Sequence, residues 1–323
     1  MNDKHLGFGL MRLPMVGDKV DIPQTTKMVD TFLARGFNYF DTAHGYIDGK
    51  SEIALNRCLT SRYPRESYIL TNKLSSSYFK TEEEIRPFFQ MQLEVCGVDY
   101  FDFYLLHNVY ENSLDVYMDE KWGIFEYFKE QKRLGRIRHL GFSTHATTET
   151  MKKILDIMGE DMEFCQIQLN WLDWKFQSAK EKVKLLEEYN IPVWVMEPVR
   201  GGSLASLKEE EEKQLKNLRP EESIAAWSFR FLQSIPQVVV TLSGMSNDEQ
   251  VTDNLKTYEE SKPLNEEEMA LLMKFADEKI AANALPCTSC RYCTAKCPKE
   301  LDIPTLIGLY NEHYLTGGGF IAP

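Results

Sequence analysis

Short apolar runs, rich in β-branched and aromatic residues, recur along the chain and alternate with segments of helical pattern. Strands that are buried on both faces show such near-continuous apolar runs, because helices cover both faces of a parallel sheet. The sequence therefore predicts eight strands, each followed by a helix. The predicted strands are residues 5–13, 37–43, 67–74, 100–107, 136–144, 164–170, 191–198 and 237–244.

The segments between these runs place their apolar residues on one helical face. Thr81 and Glu84 have the spacing of a capping box at the start of one such segment. Gly135 follows another and predicts its end, because glycine readily takes the left-handed conformation that terminates helices. The predicted helices are residues 24–35, 51–62, 81–96, 122–134, 147–158, 175–189, 221–233, 247–257 and 264–283.

This alternation predicts an α/β fold, because eight strand–helix units in about 255 residues suit a (β/α)8 barrel. A doubly wound open sheet is the alternative, and it would carry a glycine-rich dinucleotide fingerprint after its first strand. The sequence has no such fingerprint. We therefore assign residues 1–262 to the barrel, 263–284 to a linking helix and 285–323 to a small helical C-terminal tail.

Composition and charge narrow the class of protein further. The chain has 323 residues, of which 43% are hydrophobic and 27% charged, the ordinary balance of a globular protein. Its net charge of −12 excludes the basic footprint of a nucleic-acid binder or a polybasic membrane patch. It has neither a bilayer-spanning apolar run nor a signal-peptide pattern at the N-terminus. We therefore expect a cytoplasmic protein without nucleic-acid or membrane partners.

Ionisable side chains end three successive predicted strands. Asp41, Lys73 and His107 hold these places, and Tyr46 follows Asp41 closely. The active sites of such barrels lie at the carboxyl ends of the strands. A neighbouring ammonium lowers the pKa of a tyrosine, so Lys73, held by Asp41, would make Tyr46 a better acid. With His107 donating a hydrogen bond, the set predicts protonation of a carbonyl oxygen while a hydride reaches the carbon.

Seven stretches resemble the aldo-keto reductases in the right order and spacing, over about residues 5–260. The resemblance implies a TIM barrel that reduces a small aldehyde or ketone with NADPH, or alternatively with NADH. It also implies that Tyr46 is the general acid, Lys73 the modulator of its pKa, Asp41 the partner of Lys73 and His107 the substrate orienter. The stretches are "FDTAHGY", "TNKL", "FYLLHN", "GFSTHA", "CQIQLNW", "MEPVRGG" and "LSGMSNDEQ".

The same resemblance implies the cofactor contacts. The nicotinamide carboxamide falls on Ser143 and Gln166, and the ring falls on Met196, where many members have an aromatic residue. No basic residue lies in 243–250, so we expect only a modest preference for NADPH, with Arg200 as the nearest cation. The pyrophosphate loop and the adenine end of the cofactor fall on Gly201, Gly202, Ser243, Gly244, Gln250 and Asn254.

The tail contains Cys287, Cys290, Cys293 and Cys297, followed by Pro298. This spacing is typical of 4Fe-4S ferredoxins, and the tail resembles the ferredoxin-like extension of a bacterial aldo-keto reductase subgroup. Zinc is the alternative metal, and a structural tail with free thiols is a third reading. The second cysteine run of such extensions is absent here. In two-cluster ferredoxins the last cysteine of a run ligates the other cluster, so the module is predicted to be incomplete.

Two classes of function follow from these observations. The first, which the residues at the strand ends favour, is a nicotinamide-dependent carbonyl reductase. The second is an iron–sulfur electron-transfer or redox-sensing protein that uses the barrel as a scaffold and acts with a redox partner protein. The other cysteines, Cys58, Cys96 and Cys165, lie in predicted barrel elements and are expected to be buried and structural.

Overall fold

A computed structural model describes residues 5–283, 285, 287, 292–295 and 297–316. Eight strands form a closed barrel in which every neighbouring pair is parallel, and the first strand pairs with both the second and the last. The barrel strands are β1 (His5–Gly9), β4 (Tyr39–Asp41), β5 (Ile69–Ser75), β6 (Phe101–His107), β7 (Ile137–Thr144), β8 (Cys165–Gln168), β9 (Val193–Met196) and β10 (Val238–Gly244). The predicted (β/α)8 barrel is therefore confirmed.

A short antiparallel hairpin, β2 (Met15–Val16) and β3 (Lys19–Val20), follows β1 and was not predicted. The predicted helices between the strands are present, and shorter ones accompany them. The helices are α1 (Ile22–Ala34), α2 (Lys50–Leu55), α3 (Glu82–Cys96), α4 (Leu114–Met118), α5 (Ile124–Arg133), α6 (Thr148–Met158), α7 (Asp173–Phe176), α8 (Ala179–Glu188), α9 (Glu209–Leu218), α10 (Ile224–Gln233), α11 (Asp248–Glu259), α12 (Glu266–Asn283), α13 (Tyr292–Ala295) and α14 (Ile303–Thr316).

The predicted helix ends were partly right. Gly135 follows α5 with a φ of 75°, as expected for a residue that terminates a helix. The capping box at α3 is wrong, because the Thr81 side chain makes no capping hydrogen bond. The Glu84 carboxylate instead accepts from the backbone N–H of Lys80 at 2.6 Å. The Lys80 N–H thus takes the place that the Thr81 N–H would have in a capping box, as the donor to the Glu84 carboxylate.

Large side chains fill the inside of the barrel. Phe164 and Trp194 pack there with their ring centroids 4.9 Å apart, among the inward-facing residues Tyr39, Leu105, Val240 and Leu242. Gly141 makes room for Phe164, since a Cβ atom at this glycine would lie 2.5 Å from the ring. The interior is therefore a packed core rather than a channel, and chemistry belongs to its rim.

Strand register brings the ends of the strands to one rim. Ser75 is paired with His107 across β5 and β6, and Ser143 with Gln166 across β7 and β8. Gly9 is the partner of Gly244 where β10 meets β1. Parallel pairing therefore gathers side chains from distant parts of the sequence at one end of the barrel.

The C-terminal helices pack against the outside of the barrel. Asp277 of α12 accepts a hydrogen bond from Lys175 at 2.6 Å, and Lys279 pairs with Glu211 of α9 at 3.0 Å. None of the helices in the described residues is both long and apolar enough to cross a lipid bilayer.

Candidate active site

A buried ion pair joins the ends of β4 and β5. The Lys73 ammonium donates to Asp41 Oδ1 at 2.5 Å and to the Thr42 carbonyl at 2.8 Å, and the two charged side chains are at most 3% exposed. Burial raises the pKa of Asp41 and lowers the pKa of Lys73, while each charge opposes the shift of the other. Adjacent strands in parallel register position this pair, since Asp41 lies opposite Thr71 on β5.

Tyr46 lies over this pair, in the turn after β4. The Lys73 ammonium is 4.9 Å from the centroid of the Tyr46 ring. The His107 ring meets the same tyrosine nearly perpendicularly, with 6.2 Å between the centroids. The four side chains predicted from the strand ends therefore lie together at one rim of the barrel.

The pKa of Tyr46 differs from the sequence-based expectation. Burial raises it well above its ordinary value, and the negative charges of Asp41 and Glu197 add to the shift. We expected Lys73 to lower this pKa, but burial and two carboxylates outweigh the ammonium. Tyr46 therefore keeps its phenolic proton throughout the neutral range, as a proton donor must.

His107 is a neutral imidazole in this environment. Burial lowers the pKa of His107 to about 3, and the nearby Lys73 charge contributes. Its Nδ1 shares a hydrogen bond of 2.7 Å with the Ser75 hydroxyl. A neutral imidazole carries one donor and one acceptor nitrogen, so Ser75 lies where it can decide which is which.

A second group of polar side chains lies across the rim, on β7, β8 and β9. The Ser143 hydroxyl accepts from the backbone N–H of Asn108 at 2.8 Å. Gln166 donates through Nε2 to the Met196 sulfur at 3.6 Å, while its buried Oε1 has no hydrogen-bond partner in the part of the chain that the structure describes. A buried acceptor without a donor costs about 1–3 kcal/mol, so Oε1 marks a place where a ligand N–H fits.

The loop after β9 has an unusual backbone. Glu197 and Arg200 have φ values of 57° and 48°, although neither is glycine. Gly201 and Gly202 follow with φ values of 65° and 99°. No atom lies within 4 Å of a Cβ built on Gly202, so its positive φ rather than crowding favours glycine there. This left-handed run exposes the loop backbone at the rim.

Arg200 does not face the exposed side of this loop. Its Nε lies 3.1 Å from both oxygens of Asp173, and its Nη2 lies 2.9 Å from both oxygens of Glu312 on α14. The guanidinium also lies over the Phe176 ring at 5.4 Å. Two carboxylates therefore hold it against the C-terminal helix, and its contact with a cofactor phosphate stays a prediction.

The residues predicted at the adenine end lie at the end of β10 and on α11. Asn254 is buried and donates to the Ser243 hydroxyl at 3.0 Å. Gln250 is exposed, and its side-chain carbonyl accepts from the backbone N–H of Ser246 at 2.7 Å. Gly244 is the last residue of β10.

The sequence did not lead us to Arg12, which lies between the loop that carries Gly201 and the end of β10 at Gly244. Its side-chain atoms are 3.2–3.3 Å from a Cβ built on Gly244, and Nη2 is 3.5 Å from one built on Gly201. Nη2 is also 3.7 Å from Glu197, and the side chain is 50% exposed. The pattern that identified Asp41, a charged residue soon after an apolar strand, could also have identified Arg12. We missed it because the predicted strand ran to residue 13.

Glu52 was also missed. This carboxylate is fully buried and accepts from Asn72 at 2.8 Å and from Gln92 at 3.2 Å. It also pairs with His44 Nδ1 at 2.8 Å, and this hydrogen bond raises the pKa of His44. Glu52 thus ties the turn that carries Tyr46 to β5 and α3, which no local sequence pattern indicated.

The cysteine run is described in part, since Cys290 lies outside the described residues. Cys287 and Cys293 are exposed, and Cys297 is partly buried. The Cys297 sulfur accepts from the backbone N–H of Leu301 at 3.4 Å. Within the described ranges, no three His, Cys, Asp or Glu side chains group as metal ligands do. The expectation for the barrel cysteines is confirmed, since all three are buried, namely Cys58, Cys96 and Cys165.

Comparisons with known proteins agree with this geometry. Residues 5–277 match the model described as "Aldo/keto reductase family". The uncharacterized oxidoreductase YqkF of Bacillus subtilis is 26% identical over 310 residues, which cover 85% of this chain and 93% of that protein. The 9,11-endoperoxide prostaglandin H2 reductase of Trypanosoma cruzi is 24% identical, with 83% and 90% covered.

Solved structures share the fold. Aldo-keto reductase AKR11C1 from Bacillus halodurans, in its holo form, superposes with a TM-score of 0.68 at 25% identity, covering 84% of this chain and 91% of that one. An aldo-keto reductase from Klebsiella pneumoniae in complex with NADPH gives 0.66 at 18% identity, with 85% and 91% covered.

Proposed function

The chain belongs to the aldo/keto reductase family, and we propose that it reduces a small aldehyde or ketone with NADPH, using Tyr46 as the general acid. One observation carries this proposal, namely that Tyr46, Lys73, Asp41 and His107 come together at the rim of the barrel. NADH is the alternative cofactor.

Two sides of the rim fit the two parts of this reaction. A bound nicotinamide cofactor supplies the hydride that reduces the carbonyl carbon. The buried, unpaired Gln166 Oε1 can accept from the carboxamide of such a cofactor, and Ser143 lies opposite it in register. Met196, bonded to the same glutamine, can pack on the nicotinamide ring, since a thioether adapts to flat surfaces.

The catalytic side supplies the proton. Tyr46 transfers its phenolic proton to the carbonyl oxygen as the hydride reaches the carbon, so the product is an alcohol. The phenolate left on Tyr46 gains from the Lys73 ammonium, which faces its ring. Neutral His107 donates a hydrogen bond to the same oxygen and orients it. Solvent then returns a proton to Tyr46.

Arg12 supplies the cation that the sequence seemed to lack for a cofactor phosphate. It lies against Gly201, assigned to the pyrophosphate loop, and Gly244, assigned to the adenine end of the cofactor. Asp248, an acidic residue at the start of α11, is paired with Lys27, which offsets its charge. These contacts favour NADPH more strongly than the sequence did.

We propose the domain division of the sequence as it stands: a barrel over 1–262, a linking helix over 263–284 and a tail over 285–323. A 4Fe-4S cluster in the tail, with a redox partner protein, is the second candidate function. Its support is the cysteine spacing alone, so no step of carbonyl reduction is assigned to it. A cytoplasmic location is likewise a proposal from composition.

Turnover with a panel of aldehydes, ketones and quinones tests the main proposal. Purified protein should oxidise NADPH in step with alcohol formation, without any added electron acceptor. Tyr46→Phe should lower the rate about 10²–10⁴-fold and leave cofactor binding, followed by fluorescence, intact. Near-normal turnover in this variant would exclude Tyr46 as the acid. Reduction of one-electron acceptors without carbonyl turnover would favour the second candidate.

A further inference from the structure

We propose that Ser75 is a positioning residue, whose hydroxyl donates to His107 Nδ1 and thereby holds the histidine proton on Nε2. The inference rests on the proposed function in one respect, since it takes His107 as the group that hydrogen-bonds the substrate oxygen. Ser75 itself touches neither substrate nor cofactor in this scheme.

The geometry of two adjacent strands carries the proposal. Ser75 is the last residue of β5, His107 is the last residue of β6, and the two are register partners. The serine oxygen and Nδ1 are 2.7 Å apart, a distance typical of a hydrogen bond that involves a hydroxyl. The contact is therefore set by strand pairing rather than by a chance rotamer on a loop.

A tyrosine fixes these two strand ends against each other. The buried Tyr117 hydroxyl lies 2.7 Å from the His107 carbonyl and 2.9 Å from the Leu74 carbonyl, and it accepts from the Ser76 N–H at 3.0 Å. These contacts span the backbone on both sides of Ser75. The backbones that carry Ser75 and His107 are consequently held together at this point.

The direction of the hydrogen bond follows from counting the donors and acceptors that the two side chains offer. His107 is neutral, so only one of its nitrogens carries a proton. Among the described residues, no other hydrogen bond is found for the Ser75 hydroxyl. If Nδ1 donated to Ser75, the serine proton would lack an acceptor in this partly buried place. Donation from Ser75 to Nδ1 satisfies both groups and puts the imidazole proton on Nε2.

The tautomer matters because only one form helps the reaction. With the proton on Nε2, this nitrogen donates to the carbonyl oxygen and favours the charge that develops there. With the proton on Nδ1, Nε2 would present a lone pair to that oxygen and oppose the same charge. Ser75 thus selects the tautomer that polarises the carbonyl, while Tyr46 supplies the proton.

The test combines ¹⁵N NMR of histidine-labelled protein with steady-state kinetics, using His107→Gln to assign the signals. Wild type should show an unprotonated Nδ1 and a protonated Nε2. Ser75→Ala should give a mixture of tautomers and lower kcat about tenfold to a hundredfold, with the KM for NADPH unchanged. Ser75→Thr, which keeps a hydroxyl, should restore both readouts. Ser77→Ala, at an exposed neighbouring serine, should change neither.

A proton on Nδ1 in wild type, or an unchanged tautomer in Ser75→Ala, would overturn the inference. The wild-type spectrum tests it even if a variant fails to fold. A tautomer that shifts in Ser75→Ala without any loss of rate would support the hold of Ser75 on His107. That same result would contradict the role of His107 in the proposed function, so the two failures are distinguishable.

Discussion

Two buried clusters of charge differ in what they leave for a ligand. In the catalytic cluster, Lys73 pairs with Asp41 and faces the ring of Tyr46. In the junction cluster, Arg200 lies between Asp173 and Glu312. The cation of each is nearly inaccessible, with 0% and 2% of the side chain exposed. Burial of a charge therefore does not by itself distinguish a chemical site from a structural one.

The two clusters differ in the number of carboxylates that pair with each cation. Lys73 has one carboxylate, so its charge also acts on the tyrosine beside it. Arg200 has two, and Asp173 is bound further by Gln168 and Asn170 at 2.8 and 2.7 Å. In each cluster one polar atom has no hydrogen-bond partner among the described residues, namely Asp41 Oδ2 in the first and Arg200 Nη1 in the second. The charges sum to zero in the first cluster and, with Glu312 ionised, to −1 in the second, where burial is the main cause that raises the pKa of Glu312.

Removing the cation of the catalytic cluster should have the largest effect. Lys73→Met leaves Asp41 as an uncompensated buried charge, which costs about 3–5 kcal/mol of stability. It also leaves the phenolate of Tyr46 without a cation, so kcat should fall about 10²–10⁴-fold. The pKa of Asp41, already raised by burial, rises further, so the stability loss should shrink at low pH. Unfolding midpoints and pH–rate profiles measure both effects.

A double variant separates stability from chemistry. Lys73→Met with Asp41→Leu has no uncompensated charge, so most of the lost stability should return. The rate should stay low, because no cation faces Tyr46. Recovery of the rate in the double variant would mean that Lys73 serves the fold alone, and the contrast with the junction cluster would disappear.

The junction cluster should respond to changes at Glu312 with a smaller effect. Glu312→Ala removes a charge-assisted contact to Arg200 and should lower stability by about 1.5–3 kcal/mol. Glu312→Gln keeps hydrogen bonding and leaves a neutral Arg200–Asp173 pair, so it should cost less. Denaturant unfolding measures both variants. Neither should change the pKa of the catalytic acid, and a shifted pH–rate profile would show that the two clusters are coupled.

Comparing wild type with Glu312→Gln also tests how the stability of the junction cluster depends on pH. Burial raises the pKa of Glu312, Asp173 adds to the shift and Arg200 opposes it. A carboxyl whose pKa is raised on folding stabilises the protein below its unfolded pKa of about 4.3 and loses that contribution as the pH rises through its folded pKa. Relative to Glu312→Gln, the wild type should therefore lose stability with rising pH. The opposite slope would mean that Arg200 dominates the junction.

The two clusters also differ in how far the sequence could predict them. Asp41, Lys73 and His107 were found because each ends an apolar run, and parallel pairing brings neighbouring strand ends together. The junction was not predicted because Glu312 follows Arg200 by 112 residues, and the helical tail was predicted without a docking position on the barrel. Consecutive strands of a barrel are neighbours, so the residues at their ends are predictably close. Where a terminal helix docks depends instead on contacts between side chains that are distant in sequence, and no local pattern reveals these contacts.

Arg12 shows a second kind of failure. The apolar stretch from residue 5 to 13 was read as one strand, but β1 ends at Gly9 and residues Leu10–Arg12 form a tight 3-10 turn. The predicted strand ran four residues too far and so included a cation that lies at the rim. The boundaries of elements, rather than their number or order, thus limited the prediction of the cofactor site.

Arg12→Gln should have an effect confined to the cofactor. A half-exposed cation contributes modestly, because solvent screens its charge. The Kd for NADPH should rise about tenfold, while kcat at saturating cofactor and the NADH affinity change less. Fluorescence titration of both cofactors measures this. Equal losses for NADPH and NADH would place Arg12 at the shared pyrophosphate rather than at the phosphate that distinguishes the two.

The cysteine tail should have the smallest effect on carbonyl reduction. A hydride carries both electrons together, so reduction at the rim needs no one-electron carrier. The combined change of Cys287, Cys290 and Cys293 to Ala should therefore leave aldehyde turnover with NADPH unchanged. Iron content and visible absorption of anaerobically purified wild type report separately on any cluster, which should be sub-stoichiometric or oxygen-sensitive with a single cysteine run. A folded variant that loses aldehyde turnover would put the tail in the catalytic path. It would also mean that the buried charged side chains at the barrel rim are not sufficient for carbonyl reduction.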